Sequence, residues 1–211
     1  MIEIDAEAVR WSHPESERRG RPLVLLLHGV GSHEGDPTGL LPHLSPAFVY
    51  ASLRAPLTHG GGWSWYPLSQ PGSPAYAPVD EAADAVLRFV DGLGDEHPTV
   101  GLLGFSQGGS LSLQLLRKRP AGFAFAVVLA GFVVPGAPDG VDAGVAAVRP
   151  PVLYGRGDAD TVIPADAVER TGAWLTEHTD AELTVYPGLT HGIAQEELDD
   201  VNAFLAKVHP A

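Results

Sequence analysis

The chain has 211 residues, enough for one substantial hydrophobic core and cramped for two full domains. Its 26 acidic residues against 13 Lys plus Arg leave a formal net charge of −13, a sign that repels nucleic-acid phosphates and anionic lipid headgroups, so neither is expected as a partner. There is no cysteine, which removes disulfides, thiolate metal sites and a cysteine nucleophile.

In chain order, the opening MIEIDAEAVRW is acidic and lacks the apolar run flanked by basic residues that marks a secretory signal. Leu23–Leu27 is far too short to span a bilayer. A cytoplasmic location without stable membrane association is therefore expected. Strands are predicted at Leu23–Leu27, Phe48–Leu53, Val100–Phe105, Ala124–Leu129, Val152–Tyr154 and Leu183–Tyr186, with Glu7–Trp11 as an antiparallel edge. Near-continuous apolar runs such as PLVLLLH and AFAVVLAG suit strands buried on both faces of a mostly parallel sheet. Helices are predicted at Val79–Leu93, Gln107–Arg117, Ala165–Glu177 and Ile193–Val208. Repeated strand-then-helix units imply a three-layer α/β sandwich, and evenly spread Pro and Gly leave residues 1–211 as a single domain.

Chemistry in such sheets gathers beyond the carboxyl ends of the strands. The predicted strand Val100–Phe105 runs through Gly104-Phe105-Ser106-Gln107-Gly108 straight into a helix. A serine on so tight a turn has a crowded backbone, and glycines two residues either side let strand and helix pass without a Cβ clash. The hydroxyl then projects at the sheet edge, making Ser106 the candidate nucleophile. A serine needs a base and an orienting acid, in the chain order Ser, acid, His for this kind of elbow. Of the three histidines downstream, His178 ends a polar helix and His209 sits at the C-terminus. His191, in YPGLTHGI between the last strand and the last helix, is the candidate base. The loop RGDADTVIP offers Asp158 and Asp160, between which spacing alone does not decide. The oxyanion needs two amides; that of Gln107 follows the serine, and LHGVG after Leu23–Leu27 supplies that of Val30. His28, His33, Glu34 and Asp36 match no familiar metal-ligand spacing, so neither a metal nor a cofactor is expected.

With these residues in place, the chain resembles the carboxylesterase/phospholipase family of small α/β hydrolases, which includes acyl-protein thioesterases. LHGVG is similar to the family's oxyanion segment, GFSQGG to its nucleophile segment, LAGFVVP to the stretch after the next strand, RGDADTVIP to its acid loop and TVYPGLTHGI to its histidine loop. The resemblance implies the α/β-hydrolase fold and places the catalytic acid on Asp160. Three positions depart from the family pattern: Arg156 stands where the family has His, Ile163 where it has Val, and Pro67 where it often has Asp. The expected activity is hydrolysis of short- to medium-chain carboxylic esters through an acyl-enzyme. A thioesterase or lysophospholipase using the same triad is the alternative, and a non-catalytic binding protein is the rival from another class. Only Gly131–Pro150 joins two strands where larger relatives carry a cap, so no cap domain is expected. Trp63, Trp65 and Phe132 are the candidate substrate-binding residues, although the tryptophans could equally pack a long loop onto the sheet. A small acyl ester is the expected partner, and a homodimer stays open.

Overall fold

A computed structural model describes residues 2–68 and 70–209. Its centre is a seven-stranded sheet built from β1 (Arg10–Trp11), β2 (Leu23–Leu27), β3 (Val49–Leu53), β6 (Val100–Phe105), β7 (Ala126–Leu129), β8 (Pro151–Gly157) and β9 (Asp180–Tyr186). The spatial order is β1-β3-β2-β6-β7-β8-β9, parallel throughout except for β1, which lies antiparallel on β3. Two short strands, β4 (Leu57–His59) and β5 (Gly62–Ser64), form a separate hairpin.

The apolar runs have a plain cause. Along β2, Leu23, Leu25 and Leu27 enter one core cluster, while Val24 and Leu26 enter another on the opposite face. A strand with period two that is covered on both sides has no position left for a polar residue. On the first face lie α1 (Tyr76–Gly92), α2 (Gln107–Lys118), α3 (Ala143–Val148) and α4 (Ala165–His178). On the second, α5 (Gln195–Val208) packs through Leu198, Val201, Phe204 and Leu205. None of the described helices is long and apolar enough to cross a membrane.

The structure alters the expected elements where local chemistry competes with hydrophobic pattern. Glu7–Trp11 is a strand only at Arg10–Trp11, because the Asp5 carboxylate accepts the Glu7 amide and starts a 3₁₀ turn at Ala6–Ala8. The strand expected at Val152–Tyr154 continues to Gly157. Gly155 and Gly157 read as breakers, yet they serve close approach: a Cβ would meet Glu197 Oε1 at 2.3 Å and Leu189 O at 1.7 Å, respectively. The β4–β5 hairpin, α3 and the 3₁₀ segments at Glu15–Glu17 and Pro37–His43 were not expected. The connection 131–150 carries only α3 and loops. Glu197, in the first turn of α5, is fully buried and neither carboxylate oxygen has a hydrogen-bond partner among the described residues. Burial, with help from the Asp200 charge, pushes its pKa up to about 7.

Candidate functional site

The residues singled out along the sequence meet where β6 passes into α2. Ser106 occupies the turn with φ +53°, one of few non-glycine positions with positive φ, and its amide donates to Leu129 O at 2.8 Å. Such backbone persists only where the surroundings over-determine it. Here they do: a Cβ on Gly104 would lie 2.3 Å from Gly108 O, and one on Gly108 would lie 2.0 Å from Leu27 O. Both glycines are required by contact rather than by flexibility.

His191 Nε2 lies 2.9 Å from Ser106 Oγ, and His191 Nδ1 lies 2.7 Å from Asp160 Oδ2. An ionised carboxylate only accepts, so Nδ1 carries the proton and Nε2 is the acceptor facing the hydroxyl. Burial works to raise the Asp160 carboxyl, but the His191 hydrogen bond and the Val162 and Ile163 amides outweigh it and hold the pKa below the ordinary carboxylate value. Those amides donate to Oδ1 at 2.8 and 3.3 Å. Asp158, the competitor in sequence, instead accepts the Gly188 amide at 2.6 Å and ties the acid loop to the turn after β9. The Phe105 ring packs 5.0 Å from the imidazole and limits its rotation. Arg156 donates to Gly157 O at 3.0 Å, one residue beyond its own position.

The two amides expected for an oxyanion belong to residues that line one cavity with Ser106. Val30 N–H has no partner among the described residues, and Gln107 N–H begins α2, where no intrahelical acceptor exists. The cavity has a volume of about 110 Å³, and its apolar wall includes Phe132, Ile163, Val162, Leu68 and Pro71. Phe132, a candidate from the sequence, therefore shares a cavity with Ser106.

Trp63 and Trp65, the other two candidates, do not line that cavity. Trp65 is fully buried, and its indole N–H donates to His28 O at 2.8 Å. Trp63 pairs with Ser32 through two backbone hydrogen bonds, Gly31 N to Trp63 O and Trp63 N to Ser32 O, both 2.8 Å. For Trp65 the cause is physical: its buried indole N–H is paired with the His28 carbonyl, at the start of the loop that carries Val30.

Sequence reasoning missed the rest of this scaffold. The Gln107 side chain accepts the Trp65 amide at 2.8 Å and donates to Tyr66 O at 2.9 Å, clamping the hairpin exit onto the elbow. His28 donates from Nδ1 to Gly29 O at 2.7 Å and accepts the Ala55 amide on Nε2 at 3.1 Å. Burial lowers its pKa, which keeps it neutral and suited to both roles. Glu34 accepts two hydrogen bonds from Arg54, at 2.7 and 2.5 Å, and that pairing drops its pKa to about 2. Asp36 accepts the Ser32 hydroxyl and lies 3.3 Å from His33 Nε2. Of the four residues that resembled a metal set in sequence, His28 and Glu34 thus have partners outside the set, while His33 and Asp36 face each other. The only sequence signal for this arrangement was the clustering of His, Glu, Trp and Arg around a Gly-rich loop.

A mostly parallel sheet, a glycine-flanked serine elbow after its central strand and a histidine loop after its last strand define an α/β hydrolase. The phospholipase/carboxylesterase family profile matches residues 13–209, and the chain belongs to that family. It is 27% identical to acyl-protein thioesterase 1 of Saccharomyces cerevisiae, over 89% of this chain and 92% of the yeast protein. A probable carboxylesterase of Oryza sativa subsp. japonica is also 27% identical, over 89% of this chain and 77% of the relative. Among solved structures, esterase PE8 superposes with a TM-score of 0.82 at 28% identity, covering 99% of this chain and 100% of that one. The protein is accordingly a hydrolase of the esterase/thioesterase type.

Proposed function

We propose that the chain is a serine carboxylesterase for short- to medium-chain esters, with Ser106 as nucleophile, His191 as general base and Asp160 as its orienting acid. The observation that carries this reading is the continuous relay from Ser106 Oγ through His191 to a charged Asp160. Ser106 Oγ attacks the ester carbonyl and passes its proton to His191 Nε2, while Asp160 stabilises the imidazolium. Negative charge develops on the carbonyl oxygen beside the Val30 and Gln107 amides, where one lost donor typically costs roughly 10²–10³ in rate. The leaving oxygen takes the proton from His191, the alcohol departs, and a water activated by His191 releases the acid.

Substrate size follows from the cavity. An engineered cavity of roughly 150 Å³ accepts benzene, so about 110 Å³ suits an acyl chain of butyryl size. The likeness to a yeast acyl-protein thioesterase supports a second reading, thioester cleavage by the same residues. Matched ester and thioester substrates separate the two.

The test is hydrolysis of p-nitrophenyl esters from acetate to dodecanoate by wild type and Ser106→Ala. The expected result is an optimum near butyrate and a loss in kcat on the order of 10⁴–10⁶ in the variant. Equal activity of the two proteins would overturn the assignment. Dodecanoate preference would overturn the substrate size while leaving the triad standing.

A further inference from the structure

Ester hydrolysis has a second product, and the site as described places only the acyl half. The oxyanion points at the Val30 and Gln107 amides, and the acyl chain fills the cavity those residues share with Phe132. The leaving oxygen must lie within reach of His191 Nε2, because that nitrogen returns the proton taken from Ser106. The alcohol therefore extends past the imidazole, away from the acyl cavity.

A second cavity, of about 120 Å³, is bounded by Gly29, Leu40, Leu103, Phe105 and Ile193, residues that adjoin Ser106 and His191 without including either. It comes close to the reacting atoms. A Cβ on Gly29 would be 3.6 Å from Ser106 Cβ and 3.1 Å from the Phe105 ring. Phe105 in turn packs against His191, and Ile193 follows His191 by two residues. Gly29 borders this cavity, and Val30, the next residue, borders the first. The second cavity is lined mainly by hydrocarbon, with the exposed Asp36 carboxylate and Ser32 on its wall.

We infer that this second cavity is the leaving-group subsite and that it selects compact, uncharged, apolar alcohols. The inference rests on the roles given above to Ser106 and His191. As the carbonyl carbon–oxygen bond breaks, its electron pair stays on the leaving oxygen, which takes the Nε2 proton; the acyl group remains on Ser106 Oγ and the neutral alcohol leaves through the cavity. A leaving group carrying phosphate or carboxylate would meet Asp36 on the wall and a chain of net charge −13 around it. Lysophospholipids, whose leaving group carries a phosphate, therefore fit this site poorly, which favours simple esters among the substrates the triad could serve.

The experiment holds the acyl group constant and varies the alcohol. Ethyl, butyl, octyl and 3-carboxypropyl butyrates are hydrolysed by wild type, Leu40→Trp, Leu40→Ala and Asp36→Asn, and kcat/KM is compared because it reports acylation, the step in which the alcohol leaves. For wild type, kcat/KM should rise about fourfold per methylene from ethyl to butyl and fall at octyl. The 3-carboxypropyl ester should run at least roughly tenfold below butyl. Leu40→Trp should erase the butyl advantage without moving the acyl-length optimum measured on ethyl esters. Leu40→Ala should shift the alcohol optimum upward, and Asp36→Asn should narrow the gap to the carboxylate ester. Fluorophosphonate labelling of Ser106 and circular dichroism show that each variant is folded and armed. A flat alcohol profile in wild type, or an equal loss for all esters in folded, labelled Leu40→Trp, overturns the inference. Undiminished hydrolysis by Ser106→Ala would overturn the underlying triad instead, so the two failures are distinguishable.

Discussion

The connection between β3 and α1 changes character at Tyr66. Up to that point it is a hydrogen-bonded hairpin. Trp63 is bridged to Ser32, Trp65 is bound to His28 and Gln107, and Arg54 stacks 4.9 Å over the Trp63 ring while holding Glu34. Beyond it, Pro67, Leu68, Pro71 and Pro74 form the apolar wall opposite Ser106. The aromatic half is scaffolding, and the proline half lines the cavity beside Ser106. A buried indole or amide left unpaired is costly, so a stretch rich in such donors is drawn into the backbone of the neighbouring loop. Proline has no N–H to satisfy and can face a cavity at no such cost.

The largest effect expected from this contrast is at Trp65. Trp65→Ala should cost about 3–5 kcal/mol through the void and the lost hydrogen bond, read from denaturant unfolding. Trp65→Phe keeps most of the volume and should cost about 1–3 kcal/mol, with kcat reduced about tenfold and the acyl-length optimum unmoved, since a loosened Val30 loop weakens the oxyanion site. A change of acyl preference at unaltered kcat would make the hairpin part of the substrate wall and erase the distinction.

Two buried acids sharpen it by responding oppositely to pH. Glu197 has a folded pKa of about 7, above its unfolded value of 4.5. The folded state therefore binds more protons between these values, and stability falls by about 3 kcal/mol as pH rises from 4.5 to 7. Glu197→Gln should abolish that slope. Glu34 has a folded pKa of about 2, below its unfolded 4.5. Its contribution is complete above pH 4.5 and is lost as pH falls toward 2. With Arg54 partly exposed, this amounts to only about 1–2 kcal/mol. Denaturant midpoints of wild type and Glu34→Gln at pH 7, 4 and 3 should converge as pH falls; a constant gap would mean the Glu34–Arg54 pair does not brace the loop electrostatically.

The smallest stability change belongs to the wall. Leu68 is half exposed, so Leu68→Ala should alter stability by less than about 0.5 kcal/mol. It should still shift the ratio of butyrate to hexanoate hydrolysis by about threefold or more. Stability loss without a change in that ratio would move Leu68 from the wall to the scaffold.

How much was legible from sequence depended on the range of the interactions. The buried parallel strands were readable because two covered faces leave a continuous apolar run, and the elbow because Gly104 is demanded by contact with Gly108 four residues on, although Gly108 answers to Leu27 on the neighbouring strand. Ser106 and His191 were read as neighbours from the elements that precede them, and the structure sets them 2.9 Å apart. Asp158 and Asp160 could not be ranked by spacing, since their difference is a choice of partner, Gly188 for one and His191 for the other. The β4–β5 hairpin was invisible because its strands are three residues long and held chiefly by the loop after β2.

By itself, then, the sequence determined the layer architecture, the position of the serine turn and the order of the residues that follow it, because each depends on short-range sterics or on hydrophobic period. Tertiary structure alone decided which aspartate faces His191, which aromatic residues serve the scaffold and where the two cavities lie, one bordered by Gly29 and the other by Val30. Those outcomes depend on which donors find which acceptors across loops distant in the chain, and hydrogen-bond satisfaction is a property of the assembled neighbourhood.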